Sequence, residues 1–301
     1  MQNSIYSKYD IVSSRPLTSD IEIITMPDYF TTNRGIETDC VHMHLHYEII
    51  WFIEGTGIHY IDFSENIVTN NSIFFINPGQ VHSFDESHNQ RGVVIKINED
   101  LFSQASTEDD AYMKYELFNT DTHKFLNIQQ KDSINLQLII DAIQKETQRK
   151  GDIGHNEYIK ALVRLLIICI ERGCLRLNGE NNQSLKKSNK VLSEFRQKIQ
   201  QNYRNNHNVK EYASMLNMST RIMTKHIAEV SPLTPSEIIN HRIVLEAKRL
   251  LRFTDLMIKE IGYYLGFEDP SYFVKFFKRQ TGKLPIDFRN EFDNKIIQKS
   301  C

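Results

Sequence analysis

The final third of the chain carries one short pattern twice, about fifty residues apart, which restricts its fold to a supersecondary unit used twice. Val209 to Pro235 aligns with Ile258 to Pro285. Lys210 and Glu211 fall on Lys259 and Glu260, Ala213 on Gly262, Leu216 on Leu265, Asn217 on Gly266 and Met218 on Phe267. After one inserted residue, Ser219 falls on Asp269, Lys225 on Lys275 and Pro235 on Pro285.

Each copy reads as a helix-turn-helix. In the first, Val209, Tyr212, Ala213 and Leu216 keep the i, i+3, i+4, i+7 spacing of one buried helical face, and the small Ala213 lets a second helix approach. Asn217 supplies a left-handed turn residue and Ser219 a cap for the next helix, whose apolar face is Ile222, Met223, Ile227 and Val230. In the second, Ile258, Ile261, Gly262 and Leu265 form the first helix, Gly266 ends it, and Asp269 with Pro270 opens the next. Tyr272, Phe273, Phe276 and Phe277 are its apolar side.

A duplex major groove admits one α-helix; phosphates call for Lys or Arg, and base edges for short polar or guanidinium side chains near the start of the inserted helix. Ser219, Thr220, Arg221, Thr224 and Lys225 in the first copy, and Ser271, Tyr272, Lys275, Lys278 and Arg279 in the second, meet that requirement. Between the copies, Pro235 to Leu251 reads as one helix opened by a capping pattern of Thr234, Pro235 and Glu237. It spans roughly 25 Å, a rod that sets two recognition helices about one DNA turn apart. The competing reading, core helices of a bundle with solvated lysines, leaves the matched prolines without a reason.

Charge follows the same division. From Lys190 onward there are 19 Lys and Arg against 12 Asp and Glu, a net +7; the preceding residues hold 17 against 26, a net −9, and the two sum to the overall −2. The basic part suits a polyanion and the acidic part does not.

Arg242, Ala247, Lys248, Leu250, Leu251, Ile258, Glu260, Ile261, Leu265 to Phe267, Asp269, Ser271 to Phe273, Phe276 to Lys278, Thr281, Gly282, Pro285 and Arg289 together resemble the signature of the AraC/XylS family of bacterial transcription regulators, over residues 190–292. The resemblance implies an all-α module of about seven helices, with two helix-turn-helix units joined by a long helix and both recognition helices in adjacent major-groove segments. It implies DNA contacts from Arg221, Thr224 and Lys225 in the first unit and from Ser271 and Lys275 in the second. Three positions depart from the family pattern. Pro232 stands where glycine is usual, and proline cannot take a positive φ, so the first recognition helix must end differently. Ile227 stands for a phenylalanine and Gly262 for an alanine.

Residues 20–98 follow another pattern. Glu48 to Ile53, Gly57 to Phe63, Ser72 to Ile76 and Gly92 to Ile97 are rich in Ile, Val, Phe and Tyr and are punctuated by Gly55, Asn70, Asn71, Pro78 and Gly79, which predicts a small antiparallel barrel or jelly roll. His42, His44, His46 and Glu48 share one face if they lie on one strand. With Gly55 and the segment Pro78 to His82, they resemble the two short motifs of the cupin fold. In metal-binding members of that fold, residues at the positions of His42, His44, Glu48 and His82 hold a divalent ion. The expected use here is an effector pocket that includes His42, His44, Glu48, Trp51, His82 and Arg91, with no obligatory cofactor and a divalent metal as a secondary possibility. The opposing reading is a metal-dependent cupin enzyme of isomerase or dioxygenase type with a helical appendage.

Two helices are expected between these parts, Asp132 to Arg149 and Asn156 to Arg172, the latter apolar on nearly every side and ended by Gly173. Its second apolar face predicts a homodimer contact. Cys40, Cys169, Cys174 and Cys301 lack metal or disulfide spacing, no secretory signal opens the chain, and the longest apolar run, Leu165 to Ile170, is far too short for a membrane span. A soluble cytoplasmic protein is expected. The fold class is α+β: a cupin-like barrel at 1–130, a helical dimerisation segment at 131–176, a linker at 177–190, and a DNA-binding domain at 191–301 whose helix-turn-helix units occupy 208–230 and 258–281 around a linker helix at 235–251. The expected function is transcription regulation, as an activator, controlled by a small-molecule effector and acting on double-stranded DNA as a homodimer with RNA polymerase as a further partner; no catalytic residue is assigned.

Overall fold

The computed structural model describes residues 17, 19–32, 41–85, 89–98, 101, 118, 125–149, 151–178 and 186–296, and the chain divides into two compact units, one of residues 12–181 and one made up chiefly of residues 182–301. In the first unit the described strands are β1 (Ile21–Thr25), β2 (His42–Met43), β3 (Tyr47–Glu54), β4 (Gly57–Ile61), β5 (Ser64–Val68), β6 (Ser72–Ile76), β7 (Val81–Phe84), β8 (Arg91–Ile97) and β9 (Phe125–Asn127). They make two antiparallel sheets, in the orders β1-β8-β3-β6-β9 and β2-β7-β4-β5. Helix α1 (Met26–Thr32) follows β1, and α2 (Gln130–Thr147) and α3 (His155–Asn178) follow β9.

Pleat alternation sorts the side chains of β3 between two cores. Ile50 and Phe52 turn toward the second sheet, joining Phe74, Ile76 and Val94 against Ile61, Val68 and Phe84, with Met26, Tyr29 and Phe30 of α1 alongside. Tyr47, Ile49 and Trp51 turn the other way, with Ile73, Phe75, Val93 and Ile95, and are covered by Leu136, Ile140 and Ile143 of α2 and Val163, Leu166 and Ile170 of α3. The unit is therefore three layers, helices on sheet on sheet.

Three expectations change here. The barrel is not closed, because no ladder joins the two sheets among the described residues; the large aromatic side chains between them hold the sheets face to face. The histidine segment is not one strand either, since a bend at Leu45 and His46 separates β2 and β3, which belong to different sheets. Strand β5 was hidden by its polar residues, and its hairpin with β4 turns at Asp62, whose φ of 52° an aspartate tolerates. Helix α3 also runs through Gly173, since a helix-interior glycine costs only about 1 kcal/mol relative to alanine and does not by itself end the helix.

The second unit holds seven described helices: α4 (Lys186–Asn202), α5 (Val209–Met215), α6 (Thr220–Val230), α7 (Pro235–Phe253), α8 (Ile258–Tyr264), α9 (Pro270–Thr281) and α10 (Pro285–Ile296). The expected capping box opens α7: Thr234 Oγ1 accepts from Glu237 N at 3.3 Å, and Glu237 Oε2 accepts from Thr234 N at 2.7 Å. This helix packs against α4, α5, α8, α9 and α10, burying Ile239, Ile243, Ala247, Leu250 and Leu251. Two family-signature arginines brace it. Arg289 donates to the carbonyls of Leu251 and Leu256 at 3.0 and 2.7 Å, and Arg242 lies 3.9 Å from the Tyr203 ring centre and bonds Glu246 at 3.0 Å. Of the expected linker at 177–190, residues 179–185 lie outside the described residues and α4 begins at Lys186.

Candidate nucleic-acid interface and buried histidine cluster

Both recognition helices start on a side-chain cap. Ser219 Oγ accepts from Ile222 N at 3.3 Å to open α6, and Asp269 Oδ1 accepts from Ser271 N at 2.8 Å to open α9, with Pro270 in the first turn. Asp269→Ala is expected to cost the second unit about 1 kcal/mol, read as a lower midpoint in chemical denaturation. The turns that precede the caps need left-handed residues, and they have them: Asn217 at φ 52° and Gly266 at φ 84°. The two helices end differently. Gly282 closes α9 at φ 77°, whereas Ser231 ahead of Pro232 closes α6 in an extended conformation, as the proline required.

Helix α6 buries Met223 and Ile227 against α4 and α5, and α9 buries Phe273, Phe276 and Phe277. Gly262 allows the approach of α8 to α9, since a Cβ there would lie 3.2 Å from Phe273 Cβ. Ser219, Thr220, Arg221, Thr224 and Lys225 all lie exposed on α6 or its cap, and Ser271, Tyr272, Lys275, Lys278 and Arg279 all lie exposed on α9. Ile222 was expected in the core and is 51% exposed, because α6 packs chiefly on α4 and α5 and its buried arc is narrow. Tyr272, its counterpart in the second copy, is 55% exposed. Each recognition helix thus presents one apolar side chain among polar and cationic ones, a feature that helical periodicity alone assigned to the core.

In the first unit, the two sheets bring five imidazoles and one carboxylate together. His42 lies opposite His82 in the β2-β7 register, and Glu48 lies between Ile76 and Lys96 on neighbouring strands. His42, His44, His46, Glu48, His59 and His82 are all buried. His44 Nε2 is 3.2 Å from Glu48 Oε2 and 3.1 Å from His82 Nε2; His46 Nε2 is 3.1 Å from Glu48 Oε1; His82 Nδ1 is 3.1 Å from His59 Nε2. Phe84 stacks on His59 with ring centres 4.5 Å apart. Lys96, also buried, directs its ammonium over the Tyr29 ring at 5.2 Å.

Burial sets the charge states. It pushes His82 well below the ordinary imidazole range and His59 down to about 3, and it lowers His46 despite the hydrogen bond to Glu48. Burial also pushes the Glu48 carboxyl up, but the surrounding imidazoles, His44 first, outweigh it and hold the group well below the usual carboxylate range. The cluster is one carboxylate ringed by imidazoles. Of the residues expected here, His42, His44, Glu48 and His82 are brought together and two are not. Trp51 has the opposite pleat parity to Glu48 and lies in the core under α2 and α3, while Arg91 is an exposed rim residue that pairs with Glu54 at 3.0 Å. His46, which the period-two spacing had set beside Glu48, and His59 also belong to the cluster; the bend at residues 45–46 and the pairing of β4 with β7 bring them in.

Family comparison matches an AraC-like ligand binding domain to residues 33–163 and a helix-turn-helix domain to residues 212–291. The HTH-type transcriptional activator RhaS of Escherichia coli O81 (strain ED1a) is 22% identical over 253 residues, covering 84% of this chain and 88% of RhaS. Among solved structures, ToxT from Vibrio cholerae is 14% identical, with a TM-score of 0.40 over 90% of this chain and 98% of ToxT. The C-terminal domain of AraT, a response regulator from Geobacillus stearothermophilus, is 24% identical, with a TM-score of 0.33 over 34% of this chain and 84% of that domain.

Proposed function

The chain belongs to the AraC family of transcription regulators, and from that premise we propose how its parts divide the work. It is an effector-controlled regulator with a ligand-binding domain and a helix-turn-helix DNA-binding domain. The reading rests chiefly on one observation: the two capped helices α6 and α9 both turn cationic and polar faces outward from a unit whose sequence is net basic. On this reading Arg221, Thr224, Lys225, Ser271 and Lys275 face base edges and phosphates, while Ser219, Thr220, Lys278 and Arg279 meet the backbone. Ile222 and Tyr272 supply apolar contact of the kind a thymine methyl accepts. The function is regulation rather than turnover, and activation, as in RhaS, is the direction proposed, through contact with RNA polymerase. Selection of binding sites from a random duplex pool by the full chain, followed by affinity measurements across salt, tests the reading. A flat salt response with no enriched sequence would refute it.

The order of the two sheets, β1-β8-β3-β6 and β2-β7-β4-β5, supports a jelly roll of cupin type for the sensory domain. No described helix is long and apolar enough to cross a membrane, and a cytoplasmic location fits a reader of DNA. Homodimerisation through α2 and α3 is supported by apolar side chains left exposed once the sheet is covered, with Ile134 and Leu138 one helical turn apart on α2 and Tyr158 and Leu165 on α3. The double variant Leu138→Glu, Leu165→Glu is expected to sediment as a monomer where the parent sediments as a dimer. Two species of equal mass would remove these helices from the interface.

A further inference from the structure

Helix α7 is one tie between the two helix-turn-helix units, and a second runs beside it. A rod shared by two bodies fixes how far apart they sit along its axis, but rotation about that axis is resisted only by the side chains packed on it. An off-axis contact stops the rotation. The loop from Tyr203 to Asn208, which joins α4 to α5, makes such a contact with the end of α8 and the turn after it, Tyr264 to Phe267. His207 Nε2 lies 2.8 Å from the Leu265 carbonyl oxygen, and a carbonyl only accepts, so the ring donates. Leu265 caps the C-terminus of α8, where the last carbonyls lack intrahelical donors, so a side chain of the first unit fills a need that a helix end of the second creates. The Arg204 guanidinium lies over the Tyr264 ring at 4.3 Å, and its Nε donates to the Tyr203 hydroxyl at 3.2 Å. Between these contacts the two backbones touch, because the Arg204 carbonyl oxygen occupies the space that a Cβ on Gly266 would need.

Each side of this contact leads to a recognition helix. On one side the His207 ring centre lies 4.8 Å from that of Phe267, and Phe267 in turn meets Phe276, Phe273 and Tyr272 of α9 at 5.2, 5.4 and 6.0 Å. On the other, Tyr212 of α5 donates its hydroxyl hydrogen to the Asn206 carbonyl at 2.8 Å and packs edge-on against Phe195 of α4, one of the helices on which α6 rests.

We infer that His207, with Arg204, is a positioning residue for the reading of two DNA segments at once: the loop clasps the second unit to the first and fixes the rotation of α9 relative to α6 about α7. The inference rests on the proposed reading of α6 and α9 as recognition helices, and it adds the residues that make operator spacing selective. One base pair inserted between the segments turns one of them relative to the other by about 35°. A clasped pair of helices refuses that turn, and an unclasped pair yields to it in part.

The test compares the full-length parent and its variants on two duplexes, the one that the parent selects from a random pool and the same duplex with one base pair inserted between its two segments. The readout is the ratio of the two affinities. A general loss of stability, or of a phosphate contact, lowers both affinities alike and cancels from the ratio, whereas a loosened clasp lowers the ratio itself. One hydrogen bond changes an equilibrium about 2- to 10-fold, so His207→Ala is expected to reduce the parent's ratio about fivefold. His207→Gln, whose amide again offers a donor to the Leu265 carbonyl, is expected to bring the ratio back to within about twofold of the parent's. Arg204→Ala removes the stacking on Tyr264 and is expected to reduce the ratio about threefold; the side chain is exposed, so this variant carries the comparison if His207→Ala does not fold. A ratio unchanged in both alanine variants would overturn the inference, as would a reduced ratio that His207→Gln leaves unrestored. Failure of the parent to select any duplex would remove the inference and the proposed function together, whereas selection with an unchanged ratio removes the inference alone.

Discussion

Gly266→Ala is expected to remove much of the DNA-binding unit's stability margin, read as a large fall in its melting temperature. Gly266 holds φ 84°, and a Cβ there would lie 1.9 Å from the carbonyl oxygen of Arg204 and 3.0 Å from its carbon. That obstacle is backbone and cannot rotate away. The left-handed conformation alone costs an alanine about 1 kcal/mol, and displacing Arg204 also strains the neighbouring bond from His207 Nε2 to the Leu265 carbonyl at 2.8 Å and the contact of His207 with Phe267. A total of at least about 3 kcal/mol follows, against stabilities of roughly 5 to 15 kcal/mol for whole domains. For a unit of this size, that is a fall of about 15 °C in melting temperature. Gly282→Ala is the control. It has a similar φ of 77°, but nothing lies within 4 Å of its Cβ, so only the conformational penalty of about 1 kcal/mol applies. Equal losses in the two variants would show that the Arg204 clash is relieved without cost.

Arg221→Ala combined with Lys275→Ala is expected to weaken operator binding about a thousandfold while leaving the fold intact. Both side chains are exposed on their helices. Loss of a base or phosphate contact costs about 1 to 3 kcal/mol, and the two sites lie in different helix-turn-helix units, so their effects should add to roughly 4 kcal/mol. The single variants divide the roles. A phosphate contact lowers affinity for all sequences alike and reduces the salt slope by about 0.9, whereas a base contact relaxes discrimination at one operator position. Circular dichroism matching the parent, with affinity within threefold of it, would remove these residues from the interface.

The helix-turn-helix pair was legible because its signals are local: caps, a left-handed turn residue and a proline at fixed offsets, repeated once. Ser219, Asp269 and the Thr234–Glu237 box do what their residue types dictate. What escaped depends on partners distant in sequence. Ile222 sits on the apolar stripe of α6, but on the side turned away from the packing against α4 and α5, where it is 51% exposed. Trp51 looked like pocket lining until strand parity placed it beneath α2 and α3. His46 carried the period-two spacing to Glu48 but meets it through a bend rather than along one strand, and His59 reaches His82 through a sheet register that leaves no periodic trace. The cationic and polar faces of α6 and α9 were therefore foreseeable from the chain, while the composition of the buried cluster needed coordinates.

Helix α7 buries Ile239, Ile243, Ala247 and Leu250, and it packs against α5 of the first helix-turn-helix unit and against α8 and α9 of the second. A shared spine of this kind acts as a caliper whose jaws cannot be reset. An operator lengthened by one base pair between its two segments would shift one jaw by about 3.4 Å and turn it about a tenth of the way around the duplex, and a rigid caliper would then grip only one segment at a time.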